Sequence, residues 1–273
     1  MQIEGRVAVI TGAGSGIGRA LAHGFAAAGA SVVAGDINAD AATATASSIG
    51  DRAVGVGADA GSVDGIATLI DTAGAQFGPV DVYVANAGVI GAPGIGTEAD
   101  WDRILEVNLR AHIRAADALI PEWLQRGGGH FVTVASAAGL LTQVGAAGYA
   151  VTKHAAVGFA EWLSITYGDN GIGVTCVCPM GVDTPLLAGI RDSADPGARL
   201  AADSVTTAGE VLSADDVAAA VLAGVRDDRF LVLPHAEVLE MYRGKGADYD
   251  RWIAGMRRYQ RALGAASDST GTP

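Results

Sequence analysis

A chain of 273 residues, half of them apolar and with a formal net charge of −12, is long enough for one α/β domain with a large core that needs no disulfides. That charge excludes nucleic acid, whose phosphates it would repel. No apolar run reaches the ~20 residues that span a bilayer, and the first residues lack a basic segment followed by an apolar one, so a cytoplasmic protein that engages no membrane is expected. Cys176 and Cys178 stand two apart in an apparent strand and read as buried free thiols, while the five histidines show no metal-ligand spacing.

Val7–Ile10 is a short unbroken apolar run, as in a strand buried on both faces of a parallel sheet. Thr11 ends it and Gly12, Gly14, Gly16 and Gly18 follow at alternate positions. From Ile17 the apolar spacing turns helical through Leu21, Phe25 and Ala28. A strand, a glycine turn and a helix start place bare amides at the positive end of a helix, a site for a pyrophosphate. A second strand, Ser31–Gly35, ends at Asp36, which can accept the adenosine ribose hydroxyls and repel a 2′-phosphate.

Further strands are expected at Ala53–Ala58, before Asp59, and at Val80–Ala85, entering Asn86-Ala87-Gly88. The run from Thr97 to about Leu124 reads as one capped helix carrying Asn108. Phe131–Ala135 is a strand ending at Ser136, and a long helix from Tyr149 to Tyr167 precedes strand Val174–Cys178, stopped by Pro179. Thr184 to Gly209 reads as irregular, and a helix from Ser213 and a short strand Phe230–Leu233 follow. Residues 235–263 read as a helical extension with Trp252, Ile253, Met256 and Tyr259 on one face, and 264–273 as a disordered tail. Alternation of strand and helix predicts a single Rossmann-type domain over 1–263, a doubly wound parallel sheet with helices on both faces.

Tyr149 and Lys153 stand four apart on a helix, where side chains are neighbours. A phenol of reference pKa about 10 becomes a usable base only when a cation stabilises its phenolate. Together Thr11–Gly18, Asn86-Ala87-Gly88, Asn108, Ser136 and Tyr149/Lys153 resemble, in order and spacing, the short-chain dehydrogenase/reductase family over roughly residues 3 to 225. The resemblance implies NAD as cofactor, given Asp36, and a homodimer or homotetramer. It implies Tyr149 as general acid/base, Lys153 as its electrostatic support and ribose ligand, Ser136 as the ligand of the substrate oxygen, and Asn108 as holder of a relay water. Cofactor contacts would come from Gly12, Ser15, Gly16, Ile17 and Gly18, from Asp36, Asp59 and Ala60, and from Asn86, Ala87 and Gly88. Pro179, Gly181, Val182 and Thr184 would flank the nicotinamide.

The chain departs from the family pattern at Met180, where glycine is common, and Met180 is expected beside the substrate together with Ser136 and Tyr149. The stretch 184–209, with Leu186, Leu187, Ile190 and Leu200, is expected to act as a mobile lid over an apolar pocket. These readings converge on an oxidoreductase that moves a hydride between NAD(H) and a secondary alcohol or ketone. The rival readings are an NADP-dependent carbonyl or 3-oxoacyl reductase, against which Asp36 and the absence of a basic residue at Ser15 speak, and a catalytically idle cofactor sensor.

Overall fold

The structure, a computed structural model, describes the backbone of residues 1–270 and side chains through residue 265. Strands β1 (Val7–Thr11), β2 (Ser31–Asp36), β3 (Ala53–Gly57), β4 (Val82–Ala85), β5 (Gly129–Val134), β6 (Ile172–Val177) and β7 (Leu231–Val232) form one sheet. Their order is β3-β2-β1-β4-β5-β6-β7 and every pairing is parallel. The order reverses between β1 and β4, which opens a crevice at their carboxyl ends.

Alternate strand residues feed two cores. On one face, Ala8, Ile10, Val32 and Val132 pack against Leu21 and Phe25 of α1 (Gly16–Ala27) and Val217 and Val221 of α9 (Ala214–Arg226). On the other, Val9, Tyr83 and Phe131 meet Ile66 and Leu69 of α3 (Val63–Gln76), Leu119 and Trp123 of α5 (Ala111–Arg126), and Ala156 and Leu163 of α6 (Ala147–Tyr167). Full burial of each large apolar side chain contributes about 1.5–3 kcal/mol. Trp123, wholly buried, also needs a partner for its ring N–H and donates it to the Val80 carbonyl at 2.7 Å. Cys176 and Cys178 are buried free thiols with their sulfurs 4.0 Å apart.

Three expectations are corrected. The helix expected from Thr97 is interrupted: α4 (Glu98–Leu105) passes through a single π-helical stretch, Glu106–Arg110, into α5, and Asn108 lies in that stretch. Hydrophobic spacing cannot reveal one inserted residue, because α4 and α5 each keep a buried face. The stretch 184–209 is not irregular, since it forms α7 (Pro185–Arg191) and α8 (Pro196–Thr206). Both begin with a capping side chain followed by proline: Thr184 accepts from Leu187 N–H, and Asp195 accepts from the Gly197 and Ala198 N–H groups. The tail expected to be disordered is helical as far as Thr270, and residues 271–273 lie outside the described residues.

The extension is helical as expected: α2 (Ala39–Ile49) belongs to the sheet layers, while α10 (Glu237–Ala247) and α11 (Tyr249–Thr270) follow β7. On α11, Trp252 packs on the core and Tyr259 reaches α8, but Ile253 is exposed rather than sharing their buried side. No helix among the described residues is long and apolar enough to cross a membrane.

Candidate active site

The carboxyl ends of β1, β2 and β4 make the first half of the site. Thr11 is its hub, buried at the end of β1. Its hydroxyl donates to the Val84 carbonyl at 3.1 Å and accepts from the Asn86 and Ala87 N–H groups at 2.9 and 3.0 Å. The Asn86 amide donates back to the Thr11 carbonyl at 2.8 Å, so the β1 and β4 turns are locked together. Gly18 must lack a side chain, since a β-carbon there would collide with the Gly12 carbonyl and stand 2.5 Å from Asn86 Nδ2.

Helix α1 starts behind this turn. Its N-cap Ser15 makes no side-chain cap bond, whereas the N-caps of α2, α3, α4, α7, α8 and α9 all do. First-turn N–H groups of α1 therefore face the crevice with no capping acceptor, as a pyrophosphate requires. Asp36 stands at the rim: its carboxylate accepts from Gly14 N–H and Asn38 N–H, both at 2.9 Å, and each oxygen keeps a lone pair for a further donor. Asp59 accepts from Gly61 N–H at 2.8 Å, and Ala60 lies beside it on the same wall. These residues fit an adenine dinucleotide.

The second half is built by β5, the π-helical stretch and α6. Ser136 follows β5. Its hydroxyl accepts from Ala138 N–H at 3.1 Å and reaches the Pro179 carbonyl at only 3.4 Å, a weak bond that is easily exchanged for a better acceptor. Tyr149 and Lys153 lie one turn apart on α6, with Lys153 Nζ 5.6 Å from the centre of the Tyr149 ring. Lys153 is buried and donates to the Val134 carbonyl at 3.0 Å. Asn108, fully buried, ties the π-helical stretch to the Asn86–Gly88 turn and to α6: it accepts from Val89 N–H at 2.9 Å and donates to the Val89 carbonyl and to Thr152 Oγ1. A β-carbon on Gly88 would lie 3.4 Å from Asn108 Oδ1 and 3.6 Å from Lys153 Nζ, so the two polar heads converge over that bare residue.

The electrostatics correct one expectation. Tyr149 has a raised pKa, because desolvation by burial outweighs the polar interaction with the Ser136 side chain, which lowers it. Burial also lowers Lys153 to about 8, opposed by Cys178 and Cys176. The spacing of the pair implied a phenol depressed by the ammonium. In the protein burial dominates and Ser136 opposes it, while the Lys153 ammonium, over the Tyr149 ring, is bonded to the Val134 carbonyl of β5. His112, one turn beyond Asn108, is pushed down to about 3 by burial and by Lys153, and is neutral at ordinary pH.

All of this opens into one cleft of about 870 Å³. Gly12, Ser15, Gly16, Ile17, Gly18, Asp36, Asp59, Ala60 and the Asn86–Gly88 turn line it, with Ser136, Tyr149, Lys153, Pro179, Met180, Val182 and Thr184. Gly181 is off this wall: its carbonyl accepts from Leu212 N–H at 3.0 Å and from His235. Asn108 lies behind the wall, not on it. The far end of the cleft is apolar, formed by Ile90, Leu187, Ile190, Ala201 and Val205. Sequence reasoning missed Thr11 as a hub, Ile90, and Gln143, which donates to Ser204 Oγ at 2.9 Å and joins the Ser136 side of the cleft to α8. For Thr11 the signal was present, a buried hydroxyl-bearing residue at the end of an apolar strand. For Ile90 and Gln143 there was none.

The profile of the family described as short chain dehydrogenase matches residues 6–195. The chain is 33% identical over 265 residues to 1-deoxy-11-beta-hydroxypentalenate dehydrogenase of Streptomyces exfoliatus, covering 93% of this chain and 92% of that one. It is 37% identical over 202 residues to cis-4-hydroxycyclohexanecarboxylate dehydrogenase of Sinomonas cyclohexanicum, covering 72% and 80%. Among solved structures it resembles a short chain dehydrogenase/reductase from Burkholderia phymatum in complex with NAD, with a TM-score of 0.83, 30% identity, and coverage of 92% and 96%.

Proposed function

Because the chain belongs to the short-chain dehydrogenase family, we propose that it is an NAD-dependent oxidoreductase interconverting a secondary alcohol and its ketone, with a small to medium, largely apolar substrate. One observation carries this reading: a single cleft joins the glycine turn and Asp36 at one end, Ser136, Tyr149 and Lys153 in the middle, and apolar side chains at the other. The relatives named above are dehydrogenases of hydroxylated ring compounds, which supports an alcohol carried on a carbon skeleton that an apolar pocket accepts.

The nicotinamide supplies the hydride acceptor or donor when bound. This chain's residues hold it and manage the proton. Gly12 through Gly18 and the first turn of α1 receive the pyrophosphate, Asp36 the adenosine ribose, and Asp59 and Ala60 the adenine surroundings. The Asn86–Gly88 turn, Pro179, Val182 and Thr184 flank the nicotinamide, and Gly181 supports them from behind. Ser136 exchanges its weak bond to Pro179 for a stronger one to the substrate oxygen. Tyr149 accepts the alcohol proton in oxidation and returns it in reduction. Lys153 holds positive charge beside it, and Asn108 orients the relay behind Lys153.

Helices α7 and α8 close the apolar end as a lid, tethered rather than free, because Gln143 and Tyr259 both bond to α8. Exposed apolar residues on α5 (Ile113, Leu124) and α6 (Val151, Trp162, Ile165) support a homodimer or homotetramer. The test is a panel of secondary alcohols with NAD, following nicotinamide absorbance. Turnover of apolar cyclic alcohols is expected, and no turnover with any alcohol or ketone in either direction would overturn the reading.

A further inference from the structure

After β6 the chain leaves the sheet through Cys178, Pro179, Met180 and Gly181. The Ser136 turn holds one side of this segment, where Ala137 N–H donates to the Pro179 carbonyl at 2.7 Å. His235, from the opposite end of the sequence, holds the other. Met180 N–H lies 3.1 Å from His235 Nδ1, and His235 Nε2 lies 2.9 Å from the Gly181 carbonyl. An amide N–H can only donate and a carbonyl can only accept, so both bonds exist together in a single form of the ring: neutral, with its proton on Nε2.

The ring is 2% exposed and brackets Met180 and Gly181; Met180 is part of the cleft wall, and the end of its side chain lies beside Gly209. Once the ring is gone the Gly181 carbonyl keeps Leu212 N–H, but Met180 N–H loses its acceptor, and an unpaired buried polar group is costly enough to move the segment. Two other ties join the same C-terminal region to elements around the cleft. Lys245 Nζ donates to the Leu140 and Leu141 carbonyls at 2.7 and 2.9 Å, just beyond the Ser136 turn. The Tyr259 hydroxyl donates to the Ser204 carbonyl of α8 at 3.0 Å.

We propose that His235 is a positioning residue for the substrate site. Acting through Met180 and Gly181, it sets the wall against which the alcohol packs, and the C-terminal helices form the frame of that wall. The inference rests on the reading of the cleft as an alcohol site. His235→Phe keeps the ring's bulk and removes both bonds. It is expected to raise KM for the preferred alcohol about tenfold or more and to flatten the size ranking of the panel, with NADH affinity by fluorescence within about threefold of wild type. His235→Gln offers one acceptor and one donor on a planar amide and is expected to bring KM back to within about threefold.

A Phe variant that loses thermal stability but keeps wild-type KM and ranking would overturn the proposal, as would a folded Gln variant no better than Phe. Should the Phe variant not fold, 15N NMR of the histidine-labelled wild-type protein reads the tautomer directly, with the His235 signals assigned from the Gln variant. Protonation on Nε2 alone is expected, and a proton on Nδ1 would refute the bracket. Lack of alcohol turnover by the wild-type protein would count against the proposed function, and the tautomer would then decide this inference by itself.

Discussion

Cofactor choice should rest on the charge of Asp36. The carboxylate is held in place by Gly14 N–H and Asn38 N–H, so it cannot swing away from a group placed on the adenosine ribose. A 2′-phosphate carries close to two negative charges at neutral pH. At ~5 Å from a carboxylate, two such charges repel it by about 1.7 kcal/mol in a water-like dielectric, and by several-fold more as the dielectric falls. Asp36 is only partly buried, so the lower part of that range applies, and NAD is expected to be preferred over NADP by about ten- to a hundredfold in kcat/KM. Asp36→Asn removes the charge and retains most of the shape, and should cut the preference about tenfold or more, partly by weakening NAD itself. Steady-state kinetics with both cofactors measure it. Raising the salt should shrink the wild-type preference, because partly exposed charges are screened over about 8 Å at physiological ionic strength. A preference that survives both Asp36→Asn and high salt would refute the electrostatic account and assign discrimination to shape.

Three other outcomes are expected. Tyr149→Phe should lower kcat at least about a hundredfold while NADH binding, followed by fluorescence, stays within about threefold; retention of more than about a tenth of wild-type kcat would point to another acid/base. Ketone reduction needs a protonated Tyr149, whose pKa is raised, together with a charged Lys153, whose pKa is lowered to about 8. The ammonium is present below that value and lost above it, so kcat/KM for the ketone should be level on the acid side and fall as pH rises through about 8, and a flat profile well above it would exclude Lys153 as the required charge. Met180→Gly should admit bulkier secondary alcohols with little change in NAD affinity, and an unchanged rank order of kcat/KM across alcohols graded by size would show that the wall is shaped elsewhere.

The two halves of the cleft were not equally legible in the sequence, and the reason is physical. The cofactor half is made by local chain geometry. A strand, a glycine turn and a helix start lie within Val7 to Ala27, and their amides are aimed by the turn itself, so residue types at fixed spacing are enough to place them. The same holds for Tyr149 and Lys153, one turn apart on α6, for the capped helix start at Thr97–Asp100, and for the helix that opens at Ser213. What spacing could not give was the pKa order of Tyr149 and Lys153, which depends on burial by elements distant in sequence, or the π-helical stretch that turns Asn108 toward Val89.

The apolar half of the cleft is held by contacts that join residues across long stretches of chain: Met180 with His235 at a separation of 55 residues, Gln143 with Ser204 at 61, and Tyr259 with Ser204 at 55. No periodicity marks such pairs, and a lone histidine after a short strand reads as packing until both of its ring nitrogens are seen to be engaged. The region 184–209 looks irregular in sequence for a nearer reason: Thr184-Pro185 and Asp195-Pro196 are helix starts, but each opens a helix too short for its apolar period to stand out. Its consequence is functional. On the proposed function, two capped helices bonded to Gln143 and Tyr259 would move as one body, and the substrate selected would depend on where α8 is anchored as much as on the residues α8 presents to the cleft.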